Sequence, residues 1–157
     1  MKILTDRLLN EGQRKPVFVE NGKLLFEQLV DEWQEILEDK FDCVVSMGDC
    51  EPFGGEFDGA ELRRIFDNLA SNVEKYGEPG KGVSMKIQTE GDFVIIRQSN
   101  MIRCVRQSDK KNKTDSYGIG LQSIERLAKI YHGAMEVVSD ETEFEIVIKI
   151  GISKEEM

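Results

Sequence analysis

Two asparagines and a lysine are spaced so that they could bind a metal ion and a phosphate. Asn68 and Asn72 are one helical turn apart, and Lys75 lies almost directly above them along the same edge of a predicted helix. An amide oxygen can coordinate a hard cation such as Mg²⁺, and a neighbouring ammonium can neutralise a phosphate oxygen. Asparagine is a weak helix former, so two of them in the middle of one helix need an explanation. The alternative is a solvated polar face on which the asparagines occur by chance.

A second candidate is a short glycine motif, Ser116–Leu121. We predict that it lies directly before a helix running from about Leu121 to Tyr131. Gly118 and Gly120 would let the backbone pass close to a ligand, and free amides at the start of a helix favour an anion. Glycine loops precede many helices, so an ordinary loop remains the alternative.

The segment before this motif carries a cluster of positive charge in an otherwise acidic chain. We predict a mobile loop over residues 101–116, because this stretch has no periodicity and is rich in Lys, Asn, Asp and Ser. Its cations could reach the outer phosphates of a nucleotide from a flexible cover. The alternative is a disordered basic loop without a ligand. The basic residues are Arg103, Arg106, Lys110, Lys111 and Lys113.

The helix that must position the two asparagines is the best-defined element in the sequence. We predict that Asp58 is its N-cap, with Glu61 three residues later as in a capping box, and that Gly77 ends it. Apolar residues at helical spacing give it one core-facing stripe. This stripe consists of Leu62, Ile65, Leu69 and Val73.

The rest of the chain predicts one more helix and several strands. A helical pattern runs from Lys23 to about Lys40, and short strands are predicted over residues 17–19 and 41–46. One hairpin is predicted around the Glu90-Gly91-Asp92 turn, and in a second the segment Met135–Val138 is predicted to pair with the alternating residues of 144–150. We therefore predict an α+β fold, a two-layer sandwich of about three helices packed on one face of a mixed β-sheet, with a flexible lid loop.

The length, charge and cysteine content of the chain disfavour several classes of function. The 157 residues suffice for one domain, and a formal net charge of −9 disfavours binding to nucleic acid or to an anionic membrane surface. The three cysteines fit no zinc-binding spacing, so we expect reduced thiols in a cytosolic setting. No run of ~18 apolar residues is present, so we expect no membrane-spanning segment in this stretch of chain.

Two of these motifs, taken together, resemble those of one protein family. Phe66-Asp67-Asn68-Leu69-Ala70-Ser71-Asn72-Val73-Glu74-Lys75-Tyr76 resembles the asparagine box of histidine kinase catalytic domains. Tyr117-Gly118-Ile119-Gly120-Leu121-Gln122-Ser123-Ile124, followed by Tyr131-His132-Gly133, is similar to their second glycine box and the turn after its helix. The order and separation of the boxes fit as well, and the similarity extends from about residue 15 to 150. The resemblance implies the ATP-binding fold shared with gyrase and the mismatch-repair ATPase.

The resemblance also implies roles for individual residues, with ATP and Mg²⁺ as the ligands. Asn72 matches the asparagine that coordinates Mg²⁺, and Lys75 and Tyr76 match nucleotide contacts. Asn68 matches a polar position one turn earlier, and with Lys75 it is our candidate for a catalytic role. The candidates on the phosphate side are Gly118, Ile119, Gly120 and Leu121.

The sequence departs from the family pattern where the adenine would bind. The family's first glycine box supplies an aspartate that accepts a hydrogen bond from the adenine amino group. Here the strand ends in Arg97-Gln98-Ser99-Asn100-Met101-Ile102-Arg103, without aspartate or glycine, and Asn100 falls nearest the expected place. An asparagine carbonyl can still accept that hydrogen bond, although without charge assistance. A pseudokinase that binds no nucleotide and acts as an interaction module therefore stays open, as does a serine kinase of the same fold, of the anti-sigma type.

The histidine that would receive the phosphate is not apparent in this chain. His132, the one histidine, sits at a predicted helix end, and we interpret it as structural or C-capping. We expect the acceptor upstream, with residues 1–14 as the end of a helical dimerisation segment, 15–151 as the catalytic domain and 152–157 as a polar tail. A response regulator would be the further partner. We expect this chain to be monomeric and its parent to be a homodimer anchored in the bacterial plasma membrane, with this domain in the cytoplasm.

Overall fold

The computed structural model describes residues 14–102 and 113–152 of the chain, without the side chains of 113–119. These residues form three helices and seven strands. The helices are α1 Gly22–Leu37, α2 Gly59–Tyr76 and α3 Lys113–Ile130. The strands are β1 Val17–Val19, β2 Asp42–Ser46, β3 Gly55–Phe57, β4 Gly82–Glu90, β5 Phe93–Met101, β6 Ala134–Ser139 and β7 Glu143–Gly151. None of the helices in these ranges is long and apolar enough to cross a membrane.

Five strands form one mixed sheet in the order β2-β4-β5-β7-β6, and β1 pairs with β3 in a separate two-stranded sheet. β2 and β4 are parallel and the other neighbours antiparallel, so a crossover connection must join β2 to β4. That connection contains β3 and α2, and α2 contacts both α1 and α3. The predicted α+β architecture, with three helices and a mixed sheet, is confirmed, as are both predicted hairpins.

The two layers meet in one apolar core. Every second residue is buried from Val83 to Ile87 in β4 and from Phe144 to Ile150 in β7, so each strand presents one face to the core. Between α1 and α2, phenylalanine rings pack edge to face with centroids 5.5–6.3 Å apart, an arrangement that contributes about 0.5–1.5 kcal/mol per pair beyond the area buried. These rings are Phe26, Phe53, Phe57 and Phe66. They fix the position of α2 against α1.

The start of α2 is held by a polar cluster rather than by a complete capping box. Asp58 is the N-cap as predicted, since its side chain accepts from the Ala60 and Glu61 amides. The Glu61 carboxylate, however, accepts from the Tyr131 hydroxyl at 2.6 Å and from the Arg14 guanidinium at 2.9 Å. Glu61 is buried there, and an arginine and a phenol satisfy both of its oxygens. One half of the predicted capping box is present, because Asp58 accepts from the Glu61 amide, but the Glu61 carboxylate does not accept from the Asp58 amide, which donates to Tyr131 instead.

This cluster joins the first described residues to the ends of two helices. The Tyr131 hydroxyl, at the end of α3, also accepts from the Asp58 amide at 2.9 Å at the start of α2. Burial, followed by the hydrogen bond to Glu61, raises the pKa of Tyr131 to about 12. The hydrogen bond to Glu61 raises the pKa of Arg14 above its usual range. Arg14 therefore stays charged and Tyr131 neutral throughout the physiological range.

Gly77 ends α2 as predicted, but the reason differs from the usual one. Its φ is −73°, so no left-handed conformation is required. A Cβ at this position would lie 2.7 Å from the Val73 carbonyl oxygen and 3.0 Å from the Phe41 ring. Glycine is needed here because the chain passes so close to the preceding turn.

The start of α3 differs from the prediction. The helix begins at Lys113, so Gly118 and Gly120 lie inside it instead of in a loop before it. Glycine costs a helix interior only about 1 kcal/mol, and contacts of the buried Ile124, Leu127 and Ala128 with the core stabilise the helix enough to exceed this cost. Of the predicted loop 101–116, Met101 is the last residue of β5, Ile102 forms an isolated β-bridge and residues 113–116 are helical. Arg103, Arg106, Lys110 and Lys111 lie outside the described residues.

His132 has a clear role at the end of α3. It has φ 63°, the left-handed region that glycine favours. Its amide donates to the Lys129 carbonyl and the Gly133 amide donates to the Ala128 carbonyl, which is the Schellman pattern for closing a helix. This agrees with the interpretation of His132 as a C-capping residue.

We predict that His132→Gly stabilises the protein by about 1 kcal/mol. Glycine adopts φ > 0 without the steric cost that a Cβ carries there. His132→Ala is the matched control, because it removes the imidazole and keeps the Cβ. Urea unfolding followed by circular dichroism measures both, and equal gains in the two variants would contradict the backbone explanation.

Candidate functional site

The middle of α2 is joined to β5 by one buried side chain, Gln98. It is fully buried, its Nε2 donates to the Leu69 carbonyl oxygen at 3.2 Å, and its Oε1 accepts from Trp33 Nε1 at 2.8 Å. The three residues belong to β5, α2 and α1. Gln98 thus fixes the separation of the sheet and the two helices at this level.

A second junction lies at the far ends of the same two elements. The Glu78 amide, just past α2, donates to the Met101 carbonyl at 3.0 Å, and Gly77 forms an isolated β-bridge with Ile102. The Ile102 amide in turn donates to the Thr142 carbonyl at 2.8 Å. The end of β5 is therefore held from both sides.

Asn72 and Asn100 lie between the two junctions. From Leu69 to Gly77 the helix advances roughly 12 Å, and from Gln98 to Ile102 the strand advances roughly 13 Å, so the two stretches run side by side. Asn72 is 8% exposed and Asn100 3%. The structure thus brings these two predicted residues to the same short interval between α2 and β5.

Asn100 holds an acceptor that has no partner in the part of the chain described. Its Nδ2 donates to the Met101 carbonyl at 2.9 Å, whereas its Oδ1 is buried and accepts no hydrogen bond there. In the sheet it lies between Val83 of β4 and Phe144 of β7, both apolar. A buried acceptor without a donor costs about 1–3 kcal/mol of stability. A ligand that donates a hydrogen bond to Oδ1 would remove this cost.

The other predicted residues of α2 follow the same helix. Asn68 is half-buried one turn before Asn72, Lys75 is exposed, and Tyr76 is half-buried in the last turn. The exposed ammonium of Lys75 can neutralise an anion that approaches from solvent, while the buried amide of Asn72 stays shielded from water.

The predicted phosphate-side residues all lie on α3. The backbone of Gly118, Ile119, Gly120 and Leu121 is helical, and Leu121 packs against the core. In an α-helix the fourth helical residue already donates to the N-cap carbonyl, as Leu62 does to Asp58 in α2. Within the described part of α3 the amides without an intrahelical acceptor are therefore those of residues 113–115 and not those of Gly118 or Gly120. The prediction that the glycines precede the helix is wrong, because the helix begins eight residues, about two turns, before the predicted start at Leu121.

Sequence reasoning missed Gln98 and the Met101 carbonyl. A signal for Gln98 was present: Val94, Ile96, Gln98 and Asn100 alternate along one face of β5, so two amides occupy positions where the strand is otherwise apolar. No sequence signal identifies a main-chain carbonyl, because its role depends on where the end of α2 lies.

Two cavities open beside this framework. A cavity of about 140 Å³ is lined by residues of four neighbouring strands, which are Val44 of β2, Gly82, Val83 and Ser84 of β4, Ser99, Asn100 and Met101 of β5, and Glu143 of β7. Another, of about 400 Å³, lies at the other end of β5 beside Phe93, Tyr131 and His132 and contains none of the predicted site residues. Val44, Ser84, Ser99 and Met101 alternate with Asn100 along their strands, so the smaller cavity lies on the face of the sheet opposite to the buried Asn100 Oδ1 and is not part of the candidate site.

Comparison with known proteins identifies the family. The GHKL domain family matches residues 61–151, more than half of the chain, and the chain belongs to this family. A curated relative, the sensor histidine kinase YrkQ of Bacillus subtilis strain 168, is 28% identical over 94 residues, covering 60% of this chain. The match spans about a fifth, 21%, of that relative's length.

Solved structures with the same fold are histidine kinases. The catalytic domain of ThkA, in a nucleotide-free form, has a TM-score of 0.69 at 14% identity and covers 90% of this chain and 99% of its own. Acinetobacter baumannii AdeS has a TM-score of 0.65 at 15% identity, with coverage of 97% and 76%. Full-length ShkA in complex with AMPPNP has a TM-score of 0.64 at 20% identity, with coverage of 91% and 33%. This fold is that of histidine kinase catalytic domains.

We predict that Gln98→Leu lowers the free energy of unfolding by about 2 kcal/mol. It leaves the indole N–H of Trp33 buried without an acceptor, and that loss exceeds the value of the hydrogen bond itself. Trp33→Phe removes the orphaned donor, so the double variant should lose less than the sum of the two single losses. Urea unfolding of the three variants measures this, and strict additivity would contradict the role assigned to the hydrogen bond.

Proposed function

We propose that this GHKL domain binds ATP with Mg²⁺ and transfers the γ-phosphate to a histidine that lies outside these residues, as the catalytic domain of a two-component sensor kinase. The observation that carries the proposal is the unpartnered Oδ1 of Asn100 in the same interval as the buried Asn72. A dry acceptor suits a base amino group, and a dry amide oxygen one turn from an exposed lysine suits a metal–phosphate pair.

The residues present fit the two ligands. Asn100 accepts a hydrogen bond from the adenine amino group, which satisfies its buried oxygen. Asn72 supplies one oxygen to Mg²⁺, an ion that proteins commonly hold through one or two side chains together with phosphates and water. Lys75 neutralises a phosphate oxygen, with Asn68 and Tyr76 beside it on α2. Mg²⁺ held by Asn72 would supply positive charge that stabilises the phosphate oxygens.

The transfer itself needs a nucleophile from another part of the protein. An imidazole nitrogen forms a bond to the γ-phosphorus while the bond from that phosphorus to the β–γ bridging oxygen breaks, and ADP leaves. The domain contributes position and charge neutralisation. The free amides of residues 113–115 add dipoles at the start of α3, where an anion is favoured.

His132 is unsuited to be that nucleophile. α3 has 18 residues, so its two ends are roughly 27 Å apart, and His132 follows the end remote from the free amides. Its backbone also closes the helix. The acceptor histidine is therefore assigned to the parent protein, which we propose to be a membrane-anchored homodimer that passes the phosphate to a response regulator. YrkQ, named a sensor histidine kinase, supports this assignment.

We predict that Asn72→Ala weakens Mg·ATP binding at least about tenfold in isothermal titration calorimetry, because the metal loses its protein oxygen. Ser71→Ala, at the neighbouring position of α2, is the control. It should bind Mg·ATP as tightly as the unsubstituted chain, which is called the parent chain below. Chelating Mg²⁺ should bring the parent chain close to the variant's affinity. If the folded parent chain binds no nucleotide at millimolar concentration, the domain is an interaction module and the proposal is wrong.

We further predict that the chain does not label itself. Incubation with γ-³²P-ATP and Mg²⁺ should give no acid-labile phosphate on the parent chain or on His132→Ala. Label on the parent chain that disappears in His132→Ala would identify His132 as the acceptor and contradict its assignment as a purely structural residue.

A further inference from the structure

We propose that the Met101 carbonyl determines which nucleobase the site accepts, by holding the Asn100 amide so that it can act only as an acceptor. The inference rests on the proposed nucleotide function. An ionised aspartate at this place would need no such restraint, because both of its oxygens are acceptors. An amide has a donor end as well as an acceptor end, and an unrestrained amide could turn either end toward a ligand.

The Met101 carbonyl is itself fixed in place. It accepts from the Glu78 amide at 3.0 Å and from Asn100 Nδ2 at 2.9 Å, so both of its lone pairs are used. The next residue, Ile102, is tied to Thr142 by its amide and to Gly77 by the bridge. The carbonyl therefore cannot turn away from Asn100 without breaking the junction between α2 and β5.

A turn of the Asn100 amide by 180° is unfavourable for the same reason. It would place Oδ1 against the Met101 carbonyl oxygen, so that two acceptors would face each other in a buried position. It would also leave the NH₂ group pointing toward the unpartnered side. The hydrogen bond to Met101 thus sets the orientation, and Oδ1 is left as the buried atom that lacks a partner among the described residues.

This orientation selects bases by the group on carbon 6 of the purine. A 6-amino group donates to Oδ1. A 6-oxo group, as in guanine or hypoxanthine, would place its acceptor oxygen against the acceptor Oδ1. The Asn100 amide could not turn its NH₂ group toward that oxygen, because the NH₂ group is held by the Met101 carbonyl. Sites built to hydrogen-bond one group reject an analogue that leaves their buried polar atom unpaired. A base with only hydrogen at carbon 6 loses the hydrogen bond without adding the repulsion.

The same geometry predicts an unusual effect of aspartate at this position. In Asn100→Asp, one carboxylate oxygen would replace the NH₂ group opposite the Met101 carbonyl. The charged form is further disfavoured because the position is buried between Val83 and Phe144. The residue that the family pattern supplies should therefore serve this chain less well than its own asparagine does.

The test compares Mg²⁺ complexes of ATP, purine riboside triphosphate and inosine triphosphate on the parent chain by calorimetry, since all three share their phosphates. We expect affinity to fall in that order, with at least about tenfold between ATP and inosine triphosphate. Inosine triphosphate binding as tightly as ATP would show that the amide turns, and would overturn the inference while leaving the proposed function intact. Failure of all three to bind would overturn the proposed function and the inference with it.

Asn100→Asp and Asn100→Leu complete the experiment. We expect Asn100→Asp to bind ATP at least about threefold more weakly than the parent chain, and equal or tighter binding would overturn the inference. Asn100→Leu removes the acceptor and should bind ATP and inosine triphosphate alike. If neither variant folds, the order of the three nucleotides on the parent chain still decides the question.

Discussion

A single hydrogen-bonded side chain, Gln98, sets the distance on which the rest of the site depends. A helix that packs on a sheet through apolar contacts alone can slide or tilt with small changes in side-chain packing. Here Gln98 reaches the Leu69 carbonyl from a fully buried position and is held in turn by Trp33. Because the polar atoms are dry, losing either partner is costly. The interval that contains Asn72 and Asn100 therefore has a defined width before any ligand enters it.

Much of this arrangement could be predicted from local sequence patterns. The apolar stripe of α2, the Asp58 cap and the end at Gly77 depend on neighbours within a turn, and the alternation of β4 and β7 depends on burial of one face. What failed were features decided by distant residues. Glu61 has capping-box spacing, yet its carboxylate is taken by Arg14 and Tyr131. The glycines of α3 look like a loop until the contacts of the following turns are known.

In the candidate site, too, the features set by local sequence patterns could be predicted, whereas those set by distant residues could not. The pattern of α2 gave Asn68, Asn72, Lys75 and Tyr76, which follow one helix edge, and the strand end gave Asn100. The orientation of the Asn100 amide could not be predicted, because it depends on a main-chain carbonyl held by the turn after α2. In the sequence, asparagine at position 100 in place of the family's aspartate looks like the loss of a charged acceptor. In the structure, the amide of Asn100 donates a hydrogen bond to the Met101 carbonyl, which a carboxylate could not do.

The position of β5 in the sheet has a consequence for how the site persists in time. β5 is flanked by β4 on one side and β7 on the other, so its amides lie at the centre of the sheet. Central strands exchange their amide hydrogens through the largest unfolding events, whereas edge strands open locally. Asn100 lies one residue from the end of this strand, and its neighbours Met101 and Ile102 bond to the turn after α2 and to Thr142. We therefore expect the backbone that carries the acceptor to open only when β5 separates from both of its neighbouring strands.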